Sequence, residues 1–392
     1  MEPPGADAVV VRYGDMSTKS SRVRRGMEKR LVGNVEALLA DRGVDGDVER
    51  RPTRPLVWTD DPTAAAEVAA DAFGVVSASP ARTLPADPDA IFDAMAETAE
   101  AHYDGGSFAV EARRAGDTFP MDSEDLGREG GQAIWEAVED DFEPEVDLDD
   151  PDFTVHVEVR EETTFLYLAE MSGPGGLPLG TQRPVVALVS GGIDSPVAAY
   201  EIMRRGCPVV PVYVDLGEYG GPDHRARAVE TVRTLGEYAP NFREPLRVVP
   251  GGETVEALAD TLEQGRMLAF RRFCLAVAEE IAFEAGAAGI VTGEAIGQKS
   301  SQTAQNLSVT DPITDLPIHR PLLTMDKNVI TERAKEIGTF TDSTIPAGCN
   351  RFAPAQAETN ARLDRLREQE PDDLRERARE VVADRDLVDP HS

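Results

Sequence analysis

VVALVSGGIDSPVAAY, residues 185–200, is the stretch that decides the fold of the larger half of this chain. Val185 to Val189 is a continuous apolar run, the pattern of a strand buried on both faces of a parallel sheet. Ser190-Gly191-Gly192-Ile193-Asp194-Ser195 follows, then a helix expected over Pro196 to Arg205 and a second apolar strand over Val209 to Val214. Strand, glycine loop, helix and strand within roughly 30 residues make one βαβ unit. Two glycines let backbone amides close around an anion, and the helix start adds unpaired N–H groups and a positive dipole end. Ser190 and Ser195 supply hydroxyls. Asp194 would repel a phosphate unless Mg²⁺ intervened, so it reads as a metal or ATP-geometry residue. An ordinary strand-to-helix turn with a capping Ser or Asp would account for SGG alone. It does not account for SGGxDS in the first buried βαβ unit after a linker. The pattern GxxxxGK[ST] is absent, so this is not the common P-loop.

Outward from this loop the alternation continues. A helix is expected over Met267 to Ala285, a strand over Gly289 to Thr292 and a helix over Lys327 to Ile337, while the tail after Ala355 is highly charged and helical in character. SGPGGLPLGTQRP (172–184) is rich in Gly and Pro and marks the clearest boundary in the chain. Upstream, Ala8 to Tyr13 reads as strand, Ser20 to Arg42 as helix ending at Gly43, and Arg54 to Thr59 as strand. Between 61 and about 170, helices are expected over Ala64 to Ala72, Ala90 to Ala101 and Asp125 to Val138. Strands are expected over Ser107 to Ala112, Thr154 to Glu158 and Thr164 to Leu168. The expected fold class is α/β: N-terminal α+β domains over 1–60 and 61–171, a linker over 172–184, a doubly wound parallel-sheet domain over 185–355, and a charged helical tail over 356–392.

Composition adds two constraints. The formal charge is −32, from 72 acidic against 40 basic residues. Such a surplus suits a very salty cytoplasm, where repulsion is screened and carboxylates keep the surface hydrated. Acidity of that kind does not exclude a nucleic-acid partner; a local exception to it would point to one. Between Arg12 and Arg54 there are eleven Lys or Arg against seven Asp or Glu, and Lys19, Arg22, Arg24, Arg25, Lys29 and Arg30 fall within twelve positions. A solvated helix face is the plain alternative, but phosphate binding explains better why this chain keeps cations here. The N-terminus has no basic flank followed by an apolar stretch, and no apolar run reaches the ~20 residues of a membrane span. The expectation is a cytoplasmic protein with no membrane partner. The five histidines are scattered and suggest no metal site.

The loop resembles the PP-loop of ATP pyrophosphatases, which cleave ATP between its α- and β-phosphates and adenylate a substrate oxygen. Further segments narrow the resemblance: Gly175-Gly176-Leu177-Pro178-Leu179-Gly180-Thr181, Thr292-Gly293-Glu294-Ala295-Ile296-Gly297-Gln298, Ser301-Gln302-Thr303 with Asn306-Leu307, Arg320-Pro321-Leu322 and Met325-Asp326-Lys327. With the PP-loop they are similar to the tRNA 4-thiouridine synthetase (tRNA sulfurtransferase) family. Arg12-Tyr13-Gly14-Asp15 with Lys19 resembles that family's opening ferredoxin-like domain. Phe108 to Arg114, Phe119-Pro120 and the helix after Ser123 resemble its RNA-binding THUMP domain.

The resemblance implies ATP contacts at Leu188, Val189, Ser190, Gly191, Gly192, Asp194, Ser195, Tyr213, Val214, Arg271, Gly293 and Gln302, with Mg²⁺ travelling on ATP. It implies tRNA contacts at the basic helix residues and at Arg113 and Arg114. The implied reaction adenylates uracil O4 at position 8 of tRNA and displaces AMP with sulfur, and the family carries a further link to thiamine thiazole biosynthesis. Cys349, in a glycine-flanked loop after Pro346, matches the catalytic-domain cysteine, so Asp194 and Cys349 are the expected catalytic pair. Cys274, beside Phe273 and Leu275, and Cys207, opening a buried strand, are expected in packing roles. The positions just before Arg271 read Met267-Leu268-Ala269-Phe270 where some relatives carry CxxC, so no iron–sulfur cluster is expected from this chain alone. The chain ends without an appended rhodanese domain, which leaves free sulfide or a separate carrier protein as sulfur donor, and the resemblance allows a homodimer. The competing readings are a PP-loop amidotransferase acting on a small molecule and a non-catalytic RNA-binding protein.

Overall fold

The computed structural model describes the chain apart from Ser17, Pro52, Thr53, Gly221, 344–351, Ala353 and Ala355. It divides into two compact units, Met1–Pro178 and Leu179–Ser392. No described helix is long and apolar enough to cross a membrane.

The first unit runs β1 (Ala8–Tyr13), α1 (Ser21–Arg42), β2 (Asp47–Glu49), β3 (Leu56–Trp58), α2 (Pro62–Ala70), β4 (Val75–Pro85), α3 (Pro88–His102), β5 (Ser107–Ala115), α4 (Ser123–Val138), β6 (Glu145–Val146), β7 (Phe153–Arg160), β8 (Thr163–Tyr167) and β9 (Met171–Ser172). One sheet spans it in the order β2-β3-β1-β4-β8-β7-β5-β6, with β9 also on β4. Period-two alternation sorts β1 between two layers. Val9, Val11 and Tyr13 pack with Leu31, Val35, Leu38, Ala65 and Ala69 of α1 and α2, while Val10 joins Leu56, Ala81, Phe165 and Tyr167 on the other face. A second core, including Ile91, Met95, Leu126, Ile134, Val155 and Leu166, lies where α3 and α4 meet the sheet.

Two expectations change here. The eleven-residue β4 was read as no strand at all, yet it joins the two ends of the sheet, pairing with β1 on one side and with β8 and β9 on the other. Pro80 argues against a central strand because it lacks an N–H. The ladder accommodates it: β9 pairs only Ser77 and Ala78 and β8 begins at Ala81, so Pro80 falls in the gap between them. The division expected at 60/61 falls inside one core, since α2 and Val75 bury their side chains with those of α1 and β1.

The stretch 172–184 is likewise divided. Its first part belongs to the first unit: Gly173 and Gly175 donate to the carbonyls of Val76 and Val75 at 2.8 and 2.7 Å, and Leu177 joins the α1–α2 core. A Cβ on Gly173 would lie 2.5 Å from the Val75 carbonyl oxygen and 2.7 Å from that of Ala70, so only glycine fits.

The second unit runs β10 (Val185–Leu188), α5 (Asp194–Met203), β11 (Val209–Asp215), α6 (Pro222–Glu237), β12 (Leu246–Pro250), α7 (Gly252–Thr261), α8 (Arg266–Ala285), β13 (Ile290–Val291), α9 (Ala304–Thr310), β14 (Ile318–His319), α10 (Lys327–Glu336), α11 (Phe340–Ser343), α12 (Leu363–Gln369), α13 (Leu374–Ala383) and β15 (Asp386–Val388). The sheet order is β14-β13-β10-β11-β12-β15, parallel except for β15. The chain winds outward from β10 through β11 and β12, then returns to place β13 on the opposite side. The strand order therefore reverses between β10 and β13, where folds of this kind open a crevice at the carboxyl ends of the strands.

The charged tail is part of this unit's core. Leu374, Ala378 and Val382 recur every four residues along α13 and pack with Phe273, Val277 and Ile281 of α8, while β15 closes the sheet edge on β12. Around that seam, Arg375 pairs with Glu279 at 2.9 Å, Arg379 with Glu280 at 3.0 Å and Arg385 with Glu284 at 2.8 Å. Buried Arg272 forks onto Glu370 of the segment between α12 and α13.

These pairs are unequal. Glu279 is buried and also accepts from Thr314 Oγ1 at 2.6 Å and the Asp315 amide at 3.0 Å. Glu279→Ala should lower stability by about 3 kcal/mol, because it strands partners inside the protein. Arg379→Ala, at an exposed pair, should cost no more than about 0.5 kcal/mol. Chemical denaturation of the two variants in concentrated KCl measures both; equal losses would overturn the distinction.

Candidate functional site

β10 ends at Leu188 and α5 begins at Asp194, leaving the expected loop between them. The loop is tied shut by its own serines. The Ser190 amide donates to Ser195 Oγ at 2.8 Å, the two hydroxyls lie 3.0 Å apart, and the Gly192 amide points to Ser190 Oγ at 3.3 Å. Gly293, just beyond β13, supports the loop from the other side of the switch point. A Cβ there would lie 2.8 Å from both the Asp194 carbonyl carbon and the Ser195 amide nitrogen. These are backbone atoms of the helix start and cannot swing aside, so the position demands glycine.

A cavity of about 250 Å³ opens at this point. Of the expected ATP-contacting residues, Leu188, Ser190, Asp194, Ser195, Arg271, Gly293 and Gln302 line it. Gly191 and Gly192 remain in the loop itself. Val189 and Tyr213 do not line the cavity; they pack with Ala228, Val232 and Val248 beneath α6. Val214 lies in the core under α8. These three strand-end residues are turned into the layers by the alternation of the strands.

Sequence reasoning missed four lining residues: Cys274, Leu275, Thr292 and Glu294. The signal for the first two was their spacing from Arg271, since positions three and four residues on share a helix face. Cys274 was expected in a packing role. It does pack against the core, but it also lines the cavity. Cys207 is half-buried, and burial pushes its thiol up. Cys349 lies outside the described residues.

Two cations flank the loop. Lys327 Nζ, at the start of α10, is 2.6 Å from Asp194 Oδ1. Arg271 donates to the Ser301 carbonyl and to Ser301 Oγ, both at 3.1 Å, and its Nε lies 3.5 Å from Glu294 Oε1. Burial pushes the Arg271 guanidinium below its ordinary value, and Glu294 opposes that shift. Glu294 Oε2 in turn accepts from Arg320 Nε at 2.9 Å and Thr292 Oγ1 at 3.1 Å. Arg320 forks onto Asp311 at 2.6 and 3.1 Å. Burial pulls Arg320 down, but these two carboxylates outweigh it and leave it raised. A row of alternating charges, Asp311, Arg320, Glu294 and Arg271, thus reaches the cavity, where its last two members form part of the wall.

In the first unit, α1 carries most of the basic residues expected to contact RNA. Among the described residues, Lys19, Arg22, Arg25 and Lys29 are exposed and have no ion pair. Arg22, Arg25 and Lys29 share one face at helical spacing. Arg24 leans on Glu28 at 3.7 Å, and Arg30 also has a partner. Arg113 and Arg114 do not extend that surface together. Consecutive on β5, they point to opposite faces of the sheet, Arg113 toward Glu111 and Arg114 toward Asp117 and the Phe119 carbonyl.

The family described as thiamine biosynthesis protein (ThiI) matches residues 180–373, the THUMP domain 85–169 and the ThiI ferredoxin-like domain 8–79. A protein of Halobacterium salinarum named "Probable tRNA sulfurtransferase" is 61% identical over 384 residues, 98% of each chain. A protein of the same name from Methanosarcina acetivorans is 39% identical over 362 residues, 91% of this chain and 87% of its own. A crystal structure of a 4-thiouridine synthetase–RNA complex with bound ATP superposes with a TM-score of 0.82 at 29% identity, covering 97% of this chain and 99% of that one. The ferredoxin-like unit, the THUMP domain and the parallel-sheet domain follow one another as in these relatives, and the chain belongs to the ThiI family of tRNA sulfurtransferases.

Proposed function

We infer that this chain is an ATP-dependent tRNA sulfurtransferase that converts uridine at position 8 of tRNA into 4-thiouridine. The observation that carries the reading is the anion loop Ser190–Ser195, closed by its own hydroxyls, backed by Gly293 and flanked by Arg271 and Lys327 at the switch point of the sheet. The family resemblance and the ATP named in the related complex support it.

In this reading the phosphates of ATP lie over the loop amides and the start of α5, where the helix end favours negative charge. Uracil O4 attacks the α-phosphorus and pyrophosphate leaves. Lys327 and Arg271 offset the charge that builds on the departing group. Hydrosulfide then adds at C4, AMP departs with the C4–O bond, and loss of the sulfur-bound proton leaves 4-thiouridine. Adenylation is needed because the carbonyl oxygen is otherwise a very poor leaving group.

Magnesium fits this site as a companion of ATP. It needs only one or two carboxylates beside phosphate oxygens, and Asp194 is the carboxylate on the loop. When bound, it would neutralise charge on the pyrophosphate. Sulfur arrives either as free sulfide, which adds directly at C4, or as sulfane sulfur that a carrier persulfide passes to the Cys349 thiolate with release of the carrier thiolate; a second thiol then frees hydrosulfide from the Cys349 persulfide as a disulfide forms. The unpaired stripe of α1 grips the tRNA backbone, which carries no sequence information and is strongly salt-dependent. The family's link to thiamine biosynthesis makes a second use of the same sulfur chemistry part of this reading.

Three measurements test it. Purified protein with unmodified tRNA, Mg·ATP and sulfide in concentrated KCl should yield 4-thiouridine on nucleoside analysis. Asp194→Ala should abolish the product, and full activity of Cys349→Ser would remove the thiol from the mechanism. No product with any of several sulfur donors would sink the reading and favour an amidotransferase or a non-catalytic RNA binder. Gly293→Ala should weaken ATP binding about tenfold, equivalent to about 1.4 kcal/mol, within the range that overpacking costs. Replacing Arg22, Arg25 and Lys29 together with Ala should raise the KM for tRNA, leave that for ATP unchanged and flatten the salt dependence by up to about three ion equivalents. An unchanged salt slope would dissociate α1 from tRNA.

A further inference from the structure

Glu294 presents a physical puzzle. It lines a cavity suited to a triphosphate, yet it is itself a carboxylate and is 8% exposed. Its Oε1 is buried and accepts no hydrogen bond. A negative group in an anion site repels the ligand, and a buried acceptor without a donor is unfavourable. Some compensating role is therefore required of it.

Its neighbours supply one. Oε2 is held by Arg320 Nε at 2.9 Å and Thr292 Oγ1 at 3.1 Å, and Arg320 is fixed by its fork on Asp311. The carboxylate therefore has one defined orientation, which places Oε1 at 3.5 Å from Arg271 Nε. Arg271 is otherwise anchored through its terminal nitrogens to Ser301, in the loop before α9. Glu294 thus sets the third point that defines the plane of the guanidinium, and its charge counters the burial that disfavours an Arg cation there.

We propose that Glu294 is a positioning residue for Arg271: it aims that guanidinium into the ATP cavity and acts on the reaction only through it. This rests on the ATP-dependent reading above. Glu294 does not touch ATP; its negative charge is absorbed between two arginines. A magnesium ligand in this position is disfavoured by the same two cations.

A double-mutant cycle separates this role from a structural one. The kcat and the KM for ATP are measured for the wild type, Glu294→Gln, Arg271→Ala and the double variant, alongside the melting temperature of each. The expectation is that Glu294→Gln alone lowers kcat/KM for ATP about 10- to 100-fold. In the Arg271→Ala background the same change should cost less than about twofold, because the group it positions is gone. Losses that multiply in the double variant, or full activity of Glu294→Gln, would overturn the proposal. Should Glu294→Gln fail to fold, Glu294→Asp takes its place in the cycle, since it keeps the charge but withdraws it from Arg271 by one methylene. A wild type that makes no ATP-dependent product would instead overturn the reading on which the proposal rests.

Discussion

The start of α5 rests on the backbone of Gly293, with no room for even a methyl group between them. That contact joins the carboxyl ends of β10 and β13, the two neighbouring strands from which the chain departs in opposite directions. Much of the second unit serves it. The parallel pairing of Val186 with Ile290 and of Ala187 with Val291 sets the height at which loop and glycine meet. The serine hydroxyls close the loop above it. The helix α8, which carries Arg271, packs against the same sheet, and it is held from behind by α13. A shift of β13 along β10 by one residue would turn its side chains over and move Gly293 away from the helix start.

Charge is organised as tightly as packing. In a chain of net charge −32, scarce cations are placed where an anion needs them. The arginines of the α8–α13 seam are committed to glutamates, and Arg320 to Asp311 and Glu294. At the cavity the commitments are partial: Lys327 holds Asp194 but stays half-exposed, and Arg271 keeps an open face beside an acceptor at 3.5 Å. At Lys19, just before α1, and at Arg22, Arg25 and Lys29 on it they lapse, and these four stand toward solvent without an acidic partner among the described residues. Acidic surplus elsewhere makes that stripe stand out more, because a polyanion approaching the first unit finds attraction there and repulsion over most other surfaces.

Much of this was legible in the residues. Strands buried on both faces announce themselves as continuous apolar runs, so β10 and β11 were read nearly to the residue. Long helices with helical spacing, such as α1, α4 and α8, were read as well. The misses have physical causes. β4 hides because Pro80 breaks its pattern, and only the gap between two partner strands makes that proline tolerable. α13 lies in the stretch read as a charged helical tail, but its apolar stripe of three residues is embedded in charges, and Arg375 and Arg379 find their glutamates on α8, far away in sequence. Its place as a wall of the core was therefore not legible in the sequence.

The sequence alone determined the chemistry of the loop, since Ser190 to Ser195 carries its donors and its glycines within six consecutive positions. It also determined the order of the domains and the local excess of cations along α1. Tertiary structure alone decided which distant residues meet that loop. Glu294, Thr292 and Cys274 reach the cavity, while Tyr213 and Val214 turn away from it. The reason is geometric. A loop's own chemistry is written in neighbouring residues, whereas the far wall of its cavity depends on strand register and helix rotation, which are set by packing across the whole sheet.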